Sequence, residues 1–247
     1  MKKITVVMQG PIYSWTTSFA EKYRQLPSVE RVIISTWDDS NTDGFSSEVK
    51  IIKSSKPDNP GKGNRNFQIV TSKAGIKEVE TDFCIRVRSD LFLPHFEDML
   101  RFYQKHYEES QVYVLSVYPR FAFHPRDYVF CGETYYVKRV FEIPLDPESG
   151  TYDEWSDVRA ESYIGAHYYS LFDAEIKRYL ENPCKYLTDK SPAREEVLKR
   201  YHTLLRYKIG FVPFLPFEIS LPKHYPNGYP FGYLKSLYGE VYHGENF

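Results

Sequence analysis

Four short clusters carry the residue types from which a polyanion-handling site is built. In Phe83-Cys84-Ile85-Arg86-Val87-Arg88 the apolar and polar residues alternate with the two-residue period of a strand, so Arg86 and Arg88 share one face. Two guanidinium groups on an interior strand are costly to bury without anions, supplied either by neighbouring carboxylates or by a substrate. Asp90 follows just past the strand end, where a carboxylate could ligate a divalent ion that bridges phosphate oxygens. Gln9-Gly10-Pro11-Ile12 closes an earlier apolar run, and Gly10 permits a ligand close approach to the backbone; a tight strand-to-helix turn has the same composition. Ser35-Thr36-Trp37-Asp38-Asp39 joins an aromatic ring to two carboxylates, suited to a base or ribose or simply to an acidic turn. Gly61-Lys62-Gly63-Asn64-Arg65-Asn66 opens a helix, where free backbone N–H groups with Lys62 and Arg65 would suit a diphosphate. The string lacks the closing Gly-Lys-Ser/Thr triplet of a P-loop.

The elements that must position these clusters follow from hydrophobic periodicity. Ile4 to Met8, Val32 to Thr36 and Val49 to Ile52 read as three strands by residue 53, with a helix between the first two, capped by Ser14 and facing Phe19, Tyr23 and Leu26 inward. Phe67, Val70 and Ala74 mark the inner face of a second helix. A fourth strand, 83 to 88, is followed by another over Val112 to Val117. Two helical stretches, about 157 to 181 and 192 to 207, precede a Pro/Tyr-rich tail from Gly210 to Phe247. Strands alternating with helices predict an α/β domain with a mostly parallel sheet flanked by helices. In such sheets ligands bind beyond the carboxyl ends of the strands, where all four clusters fall.

A length of 247 residues with no Gly/Ser/Pro-rich linker favours one domain, with residues 1–118 as one half and 119–247 as a second half with the tail. With 32 basic and 33 acidic residues the chain lacks the electrostatic signature of a nucleic-acid-binding protein. Cys84, Cys131 and Cys184 form no Cys-x-x-Cys pair, which suggests a reducing compartment without structural zinc. The basic opening ends its apolar run at Gln9-Gly10-Pro11, too early for a signal peptide, and no stretch approaches the ~18 to 20 apolar residues of a membrane span. The sequence therefore predicts a cytoplasmic protein. Its 22 tyrosines exceed what a core of this size needs, and sugar-binding clefts and protein interfaces both use such rings.

The order of these motifs resembles the WavE-type lipopolysaccharide-synthesis family: strand, Gln-Gly-Pro-Ile, strand, Ser-Thr-Trp, Asn-x-Asn-x-Gln at a helix head, then Arg-x-Arg-Ser-Asp. The runs Asp127-Tyr128-Val129-Phe130-Cys131-Gly132 and Ala160-Glu161-Ser162-Tyr163-Ile164-Gly165 resemble it too, so the likeness covers roughly residues 4 to 170. It implies a GT-A-like fold and a glycosyltransferase that moves sugar from a nucleotide-diphosphate donor to a lipopolysaccharide, capsule or related surface glycan. It further implies Mn²⁺ or Mg²⁺ as cofactor, and a role compatible with peripheral association at the inner membrane face. Carried onto this sequence, Gly10 and Pro11 lie by the nucleotide, Asp38 near the base, and Asn64 and Arg65 near the diphosphate. Gln9, Thr36, Gln68 and Arg88 join the nucleotide-binding candidates. Asp90 takes the last position of an Asp-x-Asp metal motif whose first carboxylate position is held by Arg88. His224 or His243 in the tail could complete a metal shell. Glu161, opening a helix after the acidic block 153–161, is the candidate general base, and Asp127 a second catalytic carboxylate; helix-dipole compensation is the plainer role for Glu161. Two other functions fit the same composition. One is a nucleotidyltransferase, although Gln9-Gly10-Pro11-Ile12 lacks the glycine-rich basic signature expected of it. The other is a catalytically silent carbohydrate-binding or scaffold subunit.

Overall fold

In the computed structural model of the chain, residues 3–106, 112–115, 117, 121–153, 157–204 and 209–211 are described. They build one seven-stranded sheet of order β3-β2-β1-β4-β6-β5-β7. The strands are β1 (Ile4–Gln9), β2 (Val29–Trp37), β3 (Lys50–Ser54), β4 (Phe83–Arg88), β5 (Val112–Val114), β6 (Val129–Glu133) and β7 (Ile209–Phe211). The first four are mutually parallel, β6 runs antiparallel to both β4 and β5, and β7 is parallel to β5. The expected mostly parallel α/β sheet is thus present. In that order β6 is inserted between β4 and β5.

Alternation along the strands sends side chains to two separate cores. Val6, Met8, Ile34, Ile85 and Val87 pack under α1 (Thr16–Arg24) and α3 (Phe96–His106), while Val7, Ile33, Cys84 and Phe130 pack under the opposite layer. That second layer contains α2 (Arg65–Lys77), α4 (Thr134–Phe141), α5 (Ala160–Tyr169), α6 (Ala174–Glu181), α7 (Pro183–Tyr186) and α8 (Arg194–Leu204). The long helical stretch expected over 157–181 is therefore broken at Ser170–Asp173, where the Asp173 carboxylate caps α6 by accepting from the Glu175 N–H.

Three local expectations are corrected. Helix α1 starts one turn-step later than a Ser14 cap requires: Trp15 stands at the N-cap, and the Thr16 hydroxyl accepts from the Tyr13 N–H instead. Of the strand expected over 112–117, Val112–Val114 form β5 and Val117 makes an isolated antiparallel bridge to Pro125. Helix α2 turns Ile69, Thr71, Ser72, Gly75 and Ile76 inward, rather than Phe67, Val70 and Ala74. The reason is closeness of approach. A Cβ on Gly75 would stand 2.6 Å from Val7 Cγ1 and 2.7 Å from Ser35 Cβ, so only hydrogen fits where α2 crosses β1 and β2. Thr71 and Ser72 face the sheet because its polar groups need partners, as the site shows. Among the described residues no helix is long and apolar enough to cross a membrane. His224 and His243 lie outside the described residues.

Candidate active site

The parallel strands β1 and β4 end side by side, with Gln9 opposite Arg88 in register. Their exits are laced together. Ser89 donates its N–H to the Gln9 carbonyl (2.8 Å) and its hydroxyl to the Pro11 carbonyl (2.7 Å), and accepts at its own carbonyl from the Thr16 hydroxyl (3.0 Å). Gly10 has φ +127°, and a Cβ there would meet the Ser89 hydroxyl at 2.9 Å, so glycine is required twice over. Above this seam opens a cleft of about 300 Å³ lined by Gln9, Gly10, Pro11, Tyr13, Trp37, Gly63, Asn64, Phe67, Gln68, Arg88, Ser89, Asp90 and Asp127. It adjoins a second hollow of about 740 Å³ that shares Pro11, Tyr13, Trp37 and Phe67 and adds Asp39 and Lys56. Together they have the size of a small-molecule site. Trp37 and Phe67 meet edge to face at 5.1 Å and form an aromatic shelf between them.

Under the floor lies Arg86, fully buried, with its guanidinium facing the rings of Phe130 and Phe141 at 5.8 and 5.3 Å. It donates to the Gln9 side-chain carbonyl, to the Asp127 main-chain carbonyl and, at 3.1 Å, to the Ser72 hydroxyl. The Gln9 amide donates onward to Thr71 Oγ1 at 2.6 Å. These bonds explain the inward Thr71 and Ser72 of α2. Burial pushes the Arg86 guanidinium down to about 10, against the pull of the Asp127 charge.

Arg88 answers the alternative left open by the sequence differently from Arg86. Its Nε and Nη2 grip the two Asp90 oxygens at 2.9 and 2.7 Å, and its Nη1 lies 3.5 Å from Asp127 Oδ1. Burial alone would lower its affinity for the proton, but Asp127 and Asp90 outweigh it and hold the guanidinium charged. So one arginine pairs with carboxylates, and the other with neutral oxygens.

Glu161 stands in the first turn of α5, half-buried, with His124 Nε2 at 4.0 Å. His124 is itself buried, its Nδ1 3.3 Å from the Ser162 hydroxyl, and burial keeps it neutral. Burial first, and the Asp127 charge second, push the Glu161 carboxyl up to about 7; its own backbone N–H and the cations Arg88 and Arg126 pull the other way. A carboxylate poised there can accept a proton near neutral pH.

Of the sequence candidates, the cleft gathers Gln9, Gly10, Pro11, Asn64, Gln68, Arg88, Asp90 and Asp127, with Glu161 in electrostatic reach of Asp127 and Arg88. Others sit elsewhere. Thr36 is buried and bonded to Ser40, and Asp38 accepts from the Ser55 hydroxyl on the exposed rim. Arg65, 2% exposed, turns away from the cleft into an ion pair with Asp146 (3.3 Å) and donates to the Lys62 and Val158 carbonyls at 2.8 and 2.5 Å. Asn66 closes the same knot by exchanging bonds with the Asp146 main chain. The free N–H groups expected at this helix head are largely spent: those of Gly61, Lys62, Asn64 and Asn66 bond Asn59, Asp146, Gly61 and Pro60 respectively. Lys62 is held charged by Asp157 at 2.5 Å and also contacts Glu148. Tyr13, Phe67 and Ser89 were missed as lining residues; each adjoins a motif, and the surplus of aromatics was the available signal. Gln68 lines the cleft, and its Nε2, shielded from solvent, has no hydrogen-bond partner among the described residues.

The donor set fits a divalent ion poorly. Both Asp90 oxygens already accept from Arg88, and among the described residues no three His, Cys, Asp or Glu side chains converge.

A family model for WavE lipopolysaccharide synthesis matches residues 4–145. No curated protein sequence matches the chain. Among solved structures, HddC from Yersinia pseudotuberculosis aligns at 14% identity and TM-score 0.39, over 60% of this chain and 82% of its own. TarS from S. aureus aligns at 14% identity and TM-score 0.42, over 68% of this chain and 33% of its own. The mannosyltransferase PcManGT from Pyrobaculum calidifontis, in complex with GDP-Man and Mn²⁺, aligns at 12% identity and TM-score 0.41, over 68% and 52%. The chain thus spans about a third of TarS and half of the mannosyltransferase.

Proposed function

Because the chain belongs to the WavE lipopolysaccharide synthesis family, we propose that its cleft binds a nucleotide-diphosphate sugar and transfers the sugar to a hydroxyl of a surface glycan or glycolipid. The observation that carries this reading is the joining, in one cleft, of an aromatic shelf, Gln68 with its buried amide and the Arg88 cation, with a proton-accepting Glu161 in electrostatic reach of Arg88. Trp37, Phe67 and Tyr13 offer ring faces for a base or sugar. Arg88 and the Gln68 amide offer donors to phosphate oxygens. In the inverting form of the reaction the acceptor oxygen bonds to the anomeric carbon as the carbon–oxygen bond to the diphosphate breaks. The bonding electrons leave with the diphosphate, and the hydroxyl proton passes to Glu161. Titration calorimetry with UDP, GDP, CDP and ADP tests the binding half. We expect one of them to bind with a Kd between about 1 µM and 1 mM, roughly −8 to −4 kcal/mol. Failure of all four, with and without Mn²⁺, removes this reading. A panel of nucleotide sugars scored for hydrolysis then identifies the donor.

A further inference from the structure

We infer that Arg88 takes the place of a divalent ion in this cleft, so that the diphosphate is held and its departing charge stabilised by a fixed guanidinium. The inference rests on the nucleotide-sugar reading above. It starts from charge. Three carboxylates at positions 88, 90 and 127 with a dication among them would sum to −1; Arg88, Asp90 and Asp127 also sum to −1. A single exchange at position 88 thus supplies internally what an ion would bring.

Geometry supports the same assignment. Asp90, 3% exposed in its side chain, grips two of the three guanidinium nitrogens through both oxygens and so fixes the plane of the group. The third nitrogen, Nη1, has only the 3.5 Å contact to Asp127 Oδ1, at the limit of a hydrogen bond. Charged N–H to oxygen contacts settle at about 2.7 to 2.9 Å, so a phosphate oxygen can displace that contact with a shorter one. Arg88 lines the cleft with 21% of its side chain exposed, in a wall that also includes Gln68. Beneath it Arg86, bonded to neutral oxygens, adds a second cation to the floor. A cation built into the strand end needs no reorganisation when the diphosphate leaves.

The test compares binding with and without metal. The full chain is titrated with UDP, GDP, CDP, ADP and inorganic pyrophosphate, once in EDTA and once in millimolar Mn²⁺. The expected result is a Kd in EDTA within about threefold of that in Mn²⁺, with Arg88→Ala weakening binding about tenfold or more. Arg88→Asp, which gives the cleft paired carboxylates, is expected to bind at least about tenfold more tightly in Mn²⁺ than in EDTA. Circular dichroism and thermal unfolding establish that each variant folds, and if either does not, the wild-type comparison decides alone. Binding by the wild type only when Mn²⁺ is present overturns the inference and leaves the nucleotide reading standing. An Arg88→Ala variant that binds as the wild type does also overturns it. No binding under either condition removes both.

Discussion

Replacing Glu161 with glutamine separates catalysis from stability with opposite signs. A glutamate side chain titrates at 4.5 when free and at about 7 in this fold. Between those two values the unfolded chain releases a proton that the folded chain still holds, so this group's contribution to stability falls as pH rises through the window. Above about 7 the native state carries the full cost of a buried carboxylate beside Asp127, at about 1.4 kcal/mol per pH unit and so up to about 3 kcal/mol. Glu161→Gln keeps the shape and removes the charge. The variant is therefore expected to be more stable than the wild type at pH 8.5, by about 1 to 3 kcal/mol, and equal to it near pH 4.5. Its sugar transfer is expected to fall by about 10²-fold or more, the usual contribution of a general base. Wild-type transfer should itself rise with pH through about 7, as the carboxyl loses its proton. Urea unfolding of both proteins across this pH range, with transfer measured in the same buffers, is the assay. Parallel stability curves for the two proteins would falsify the electrostatic account of Glu161, and undiminished transfer would make it a structural residue.

The remaining predictions concern how the cleft is held. Arg65→Ala leaves Asp146 buried without its cation and is expected to destabilise the fold by about 3 to 5 kcal/mol, measured by chemical unfolding; a loss below about 1 kcal/mol would contradict the buried pair. Gly165→Ala places a Cβ 1.9 Å from the Phe123 carbonyl oxygen, so α5 must move off the 122–125 segment that carries His124. We expect a loss of about 3 kcal/mol, a lowered Tm and reduced transfer, and a variant with unchanged Tm would show that α5 does not pack as described.

The sequence makes the parallel strands and their functional ends legible because both are local. Short strand-like stretches, apolar in the first and alternating in the fourth, end abruptly at Gln9-Gly10, Trp37-Asp38 and Ser89-Asp90, and those ends converge as parallel pairing requires. Long-range pairing is not legible in the same way. Arg65 reads as a phosphate ligand until its partner Asp146, eighty-one residues on, is brought against it by the fold. Arg86 and Arg88 share a face and a spacing, yet one meets Gln9 and Ser72 and the other Asp90, a difference set by what α2 places over β4. The inward face of α2 is misread for a related reason. Its close crossing over β1 favours Gly75 and small hydroxyl residues over the larger apolar ones that periodicity alone selects. The short β6 carries Cys131-Gly132-Glu133 and gives no clear strand period, so the one reversal in the sheet goes unannounced.

That reversal divides the cleft into parts with different freedom to change. The exits of the forward strands β1 and β4 are locked together by bonds from Ser89 to the Gln9 and Pro11 carbonyls (2.8 and 2.7 Å) and from Thr16 to the Ser89 carbonyl (3.0 Å), so an inserted residue there would break the seam. Asp127 instead precedes the first residue of β6, at the close of a connection that begins after β5. Length added to that connection ahead of the packed 122–125 segment costs only about 0.6 kcal/mol per doubling in loop closure and leaves the register of β6 on β4 unaltered. Under the proposed function, the seam of Gln9, Pro11 and Ser89 beneath the diphosphate is therefore constrained to one form, while the connection ahead of Asp127 is where related chains can vary in length without disturbing Arg88 or its partners.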